Sequence, residues 1–168
     1  MTDQQSFLVR RATYVRTVQV RSDRTALATL KATNRQMHFG ALLLDLERFP
    51  KCEEDKAEVK KGLIAAIPRD KPHSATIYLI KMAKGIHFEQ VVEDTERLKL
   101  RFASPYELAA VNEAEPNFQW TFPQQTYWQN RKGFWFMLGV CDRRTLFLSG
   151  ALPRGELDRS RFFAFAER

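Results

Sequence analysis

A chain of 168 residues, 44% apolar with 12% aromatics, can bury a core of its own and is expected to form one domain over residues 1–168. Two cysteines, Cys52 and Cys141, exclude a disulfide framework; no run approaches the ~18–20 apolar residues of a membrane span, and MTDQQSFLVRR carries no secretion-signal pattern. A cytosolic protein without membrane insertion is therefore expected, and its net charge of +7 points to nucleic acid or an acidic protein as partner.

In chain order, FLVRRATYVRTVQV mixes β-branched and aromatic residues with arginines and predicts one or two strands. Ser22 and Asp23 stand where a helix N-cap belongs, and Ala26, Leu27 and Leu30 give the following segment an apolar stripe that Asn34 can close. FGALLLDL, residues 39–46, is short and apolar and fits either a strand or a buried helix. Residues 53–67, EEDKAEVKKGLIAAI, predict a helix: acids fill the first turn, lysines follow, and Pro68 stops it.

SATIYLIKM, residues 74–82, is too apolar for exposure on both faces and reads as a central strand. Ser104, Pro105 and Glu107 spell a capped helix start, with a serine cap, proline at the first position and glutamate at the third. Phe118, Trp120 and Phe122 alternate with Gln119 and Thr121, the period of a half-buried strand; Pro123 is expected to end it and QQT to make the connection. GFWFMLGV and RTLFLSGAL around CDR predict a hairpin, and the tail GELDRSRFFAFAER a final helix. Together these predict an α+β fold, a largely antiparallel sheet with three to four helices packed on it.

The patterns that would carry chemistry are mostly missing. His38, His73 and His87 are far apart and neither cysteine has a partner at ligand spacing, so no metal and no cofactor is expected. No Gly-rich phosphate loop, nucleophile elbow or HExxH motif occurs. Asp45 followed by Glu58-Val59-Lys60 matches the acidic set of a Mg²⁺-dependent nuclease, but residues two apart on a helix diverge by about 200°, so Glu58 and Lys60 could not converge there. No pattern places a catalytic group.

The charge is unevenly spread. Residues 10–35 hold Arg10, Arg11, Arg16, Arg21, Arg24, Lys31 and Arg35 against the single acid Asp23. If these cations share a face, they can neutralise backbone phosphates. Arg131, Lys132, Arg143 and Arg144 add to the basic set, and Tyr127 and Trp128, just before Arg131, are the rings placed to stack on bases. The leading expectation is a nucleic-acid-binding accessory protein, for DNA or RNA, that grips the phosphate backbone. The alternative is a protein-interaction module, a complex subunit or small inhibitor, whose basic and aromatic face meets an acidic partner.

Overall fold

The structure, a computed structural model, describes residues 12–21, 24, 28–29, 32–33, 36–39, 71–82, 86–118, 121–129, 135–141, 145–150 and 160–168. Eight strands lie among them: β1 Ala12–Val20, β2 Gln36–Phe39, β3 His73–Lys81, β4 Leu100–Phe102, β5 Gln124–Gln129, β6 Trp135–Cys141, β7 Thr145–Gly150 and β8 Phe162–Glu167. Two helices, α1 Phe88–Arg97 and α2 Pro105–Ala114, are delimited with them. All eight strands join one sheet in the order β1-β3-β8-β5-β6-β7-β2, with β4 also paired to β8.

The class is α+β, but the expected architecture needs correction. Two helices rather than three to four are delimited among the described residues, and the sheet is mixed. β5 runs parallel to β8 and β2 parallel to β7, while the other pairings are antiparallel. Both parallel contacts join strands distant in sequence, which hairpin-type patterning does not announce. The helix expected over residues 53–67 lies outside the described residues, and so does most of the one expected from Ser22, although Ala28, Thr29 and Ala32 are helical.

The tail gives the second correction. Residues 162–167 are not a helix but the central strand β8, paired with β3 along one edge and sharing the other between β5 and β4. A strand covered on both faces has no polar side to alternate with, so FFAFA is a continuous apolar run that does not look like a half-buried strand. Phe162 and Ala164 point into one cluster with β1, β3, β6 and α2. Phe163 and Phe165 point into the other, with Ile80, Tyr127 and α1. The two helices therefore cover opposite faces of the sheet.

The aromatic segment is corrected likewise. Phe118 and Phe122 pack together below α2 with ring centroids 4.7 Å apart, without forming a strand. The strand is the segment read as a connection, β5, and its first three residues, Gln124, Gln125 and Thr126, are buried. Part of their polarity is answered internally: Gln124 Oε1 accepts from Asn112 Nδ2 at 3.0 Å and the Thr126 hydroxyl donates to the Ala103 carbonyl, while Nε2 of Gln124 and of Gln125 meets no partner among the described residues. Buried polar groups with partners are tolerated in a core, which hid this strand from a hydropathy pattern. The β6–β7 hairpin, the strand at β3 and the helix start at Ser104 are as expected.

Helix α2 is fixed at its first turn. Ser104 accepts from the Glu107 N–H, and the Glu107 carboxylate accepts from the Ser104 N–H, closing the capping box. The same carboxylate, fully buried, receives the Arg101 guanidinium through two 2.6 Å bonds and lies 3.0 Å from His73 Nε2. One side chain thus joins α2 to β4 and to the start of β3. Burial alone would raise the Glu107 carboxyl; the bonds from Arg101, His73 and Ser104 outweigh it and hold the group below the ordinary glutamate range.

Two stability predictions follow from this packing. Phe163→Ala, at a position with no exposure, is expected to lower unfolding free energy by about 3–5 kcal/mol, whereas Val15→Thr on the exposed face of β1 should change it by less than about 0.5 kcal/mol. Denaturant titration separates the two. Because the Glu107 carboxyl is depressed, its stabilisation is fully present above the ordinary glutamate range and is lost as pH falls through that range toward the lower folded value. Glu107→Gln should cost about 3 kcal/mol near neutrality and flatten this acid-side loss, read from denaturation midpoints across the acid range.

Candidate binding surface

Strand β1 is an edge of the sheet: it pairs with β3, and among the described residues nothing pairs with its other side. Its side chains alternate from Tyr14 to Val20, after an irregularity in the pairing between Ala12 and Tyr14. Val18 and Val20 enter the core beneath α2, and Tyr14 packs against the same cluster at 4.3 Å from the Phe118 ring. Thr13, Val15, Thr17 and Gln19 are exposed on the opposite face. Beside the free side of the strand runs an open groove of about 280 Å³. Residues 16–19 and Arg21 form one wall, and Ala110, Glu113 and Ala114 of α2 form the other. Ala110 and Ala114 are one helical turn apart, so both small side chains face the groove and keep it open.

Three of the cations selected from the sequence are described, and they gather on this side. The Arg16 guanidinium is ion-paired with Glu115, and Nη1 also donates to the Tyr14 hydroxyl at 3.2 Å. Arg24 donates from Nη1 to both carboxylate oxygens of Glu113, at 2.9 and 3.1 Å. Arg21 is exposed and lines the groove. Partly exposed ion pairs of this kind contribute only about 0–1 kcal/mol each to stability. Their larger effect is on the local field, where two glutamates on or beside α2 offset part of the arginine charge. A guanidinium has five N–H donors, so a carboxylate already in place does not exhaust it.

Arg10, Arg11, Lys31, Arg35, Arg131, Lys132, Arg143 and Arg144 lie outside the described residues, as do Asp45, Glu58 and Lys60. Tyr127 and Trp128, the rings expected to stack on bases, are only 6% and 8% exposed. That placement is corrected: Tyr127 lies 4.9 Å from the Phe88 ring under α1, and Trp128 stacks on Phe136 at 5.8 Å on the opposite face. Adjacent residues of a strand buried on both sides have no ring face left for a ligand.

The sequence reading missed Glu113, Glu115, Ala110 and Ala114. Their signal was present, because a capped helix starting at Pro105 places residues 110 and 114 on one face. What a sequence does not state is that this face lies against β1, ninety residues earlier in the chain.

Two further titratable groups among the described residues are engaged within the fold. His73 has Nε2 on Glu107 and Nδ1 2.7 Å from the Lys71 carbonyl, so both ring nitrogens are engaged within the fold. The Tyr78 hydroxyl donates to Glu167 at 2.6 Å; burial first, and then that carboxylate, push it up to about 12, so the phenol stays protonated. Among the described residues no group of three His, Cys, Asp or Glu is placed to hold a metal ion, and no helix is long and apolar enough to cross a membrane. Comparison with models of known protein families, with curated proteins and with solved structures gives no match to this chain.

Proposed function

We propose that this chain is a protein-interaction module, a subunit or small inhibitor, whose β1/α2 side meets an acidic partner. The observation that carries this reading is the groove itself: it is open, bounded by a strand edge and a helix, and flanked by Arg16, Arg21 and Arg24. That shape suits a polypeptide segment. The cations give it electrostatic preference, because Arg16, Arg21 and Arg24 gather on this side of a chain that carries +7. A cytosolic location goes with the reading, in keeping with a chain that has two cysteines and no disulfide framework.

A nucleic-acid-binding role remains the second reading, favoured by the net charge alone. One observation weighs against it as the first choice. Tyr127 and Trp128, in the core, offer no stacking platform.

Fluorescence anisotropy with poly-glutamate and with a single-stranded oligonucleotide, at several salt concentrations, separates the readings. Poly-glutamate is expected to bind at low salt, and combined replacement of Arg16, Arg21 and Arg24 by alanine should weaken it by about tenfold. Oligonucleotide binding that falls steeply with salt, and that the same triple variant abolishes, would instead establish the nucleic-acid reading. No binding of poly-glutamate at low salt would remove the acidic-partner reading.

A further inference from the structure

We infer that the partner is bound by strand addition: an extended acidic segment pairs with the outer edge of β1, unpaired among the described residues, and lies in the groove beside α2. This rests on the acidic-partner reading and specifies how that partner is held. A strand at a sheet edge carries a row of unpaired N–H and C=O groups, and an incoming extended chain satisfies them. Across β1, the groove is the right place for such a chain, because the strand forms one wall and the small Ala110 and Ala114 leave room at the other.

The alternation of β1 sets the chemistry of the segment. Side chains of an added strand that point to the α2 face lie beside Arg16 and Val18; those on the opposite face lie beside Val15, Thr17 and Gln19. Arg16 is held by Glu115 and the Tyr14 hydroxyl, and the donors left on its five-N–H guanidinium favour a second carboxylate beside it. A small apolar residue two positions away fits over Val18 and the two alanines. The other row runs along a surface of valine and threonine, where Val15 is 46% exposed, and takes β-branched residues. The pattern is β-branched, acidic, β-branched, small.

Charge selects this occupant over a second copy of the chain. Two copies meeting edge to edge would each bring a net +7, and a two-fold pairing centred on Arg16 would set it against its own counterpart. An acidic segment meets no such repulsion.

The test uses the full chain and a synthetic peptide repeating Thr-Glu-Val-Ala, beside the same peptide with alternate backbone amides N-methylated. Methylation removes the strand's hydrogen-bonding edge and leaves every side chain and charge in place. The unmodified peptide is expected to bind and to slow hydrogen exchange at alternate β1 amides between Ala12 and Val20. The methylated peptide should bind about tenfold more weakly or worse. Ala114→Tyr, at an exposed position, should fill the groove and weaken binding similarly without altering the fold. Equal binding of the two peptides overturns strand addition while leaving the acidic-partner reading intact. Failure of both peptides where poly-glutamate still binds also overturns it, and failure of all three removes both readings. Sedimentation revealing a dimer whose β1 amides are protected before any peptide is added would assign the edge to a second copy and overturn the proposal.

Discussion

Strand β8 bonds to three other strands at once, and the remaining architecture depends on that. Along one edge it holds β3, and through β3 the edge strand β1; along the other it holds β5 at its start and β4 at its end. Phe162, Phe163, Ala164, Phe165 and Ala166 are all buried, and they feed both clusters by simple alternation. A buried phenylalanine contributes about 1.5–3 kcal/mol through apolar surface removed from water, and three of them stand in this one segment. Without β8 the sheet separates into a β1–β3 pair and a β5–β6–β7 group that share no described strand pairing.

Glu107 transmits that order to the groove. The carboxylate ties the first turn of α2 to Arg101 on β4 and to His73 on β3, both strands next to β8. With its start pinned, the helix runs along β1 and presents Ala110, Glu113 and Ala114 at the strand's edge. Glu113 and Glu115 then take up Arg24 and Arg16, which draws the strand's cations toward the helix. The groove is thus a product of buried electrostatics at one end of α2 and partly exposed electrostatics at the other. The buried set carries the larger share of stability, because its carboxylate has no water to fall back on.

Where a residue's neighbours in the chain determined its environment, the sequence was readable. β-branched and aromatic composition exposed β1, an apolar run exposed β3, two apolar runs around a polar tip exposed the β6–β7 hairpin, and Ser104 with Glu107 exposed the start of α2. The failures share a cause. Helix α1 had its signal in a stripe, Phe88, Val91 and Thr95 at helical spacing, but the acids between them drew the reading to charge, and its N-cap His87 makes no capping side-chain bond. β5 hid behind glutamines whose partner, Asn112, lies on α2, and β8 hid behind a continuous apolar run made possible by cover on both faces. The site was half legible: its cations stand out in residues 10–35, while the carboxylates that meet them are found only once α2 is laid beside β1.

The order of pairing has a consequence for synthesis. Every other described strand precedes β8 in the chain, yet β8 occupies the middle of the sheet. A ribosome releasing this polypeptide from its amino end exposes the inner edges of β3 and β5, with the aromatic surfaces around them, before the segment that seals them has emerged. For that interval the nascent chain presents two half-sheets whose facing edges are open. β8 then joins the two halves after every other described strand is in place.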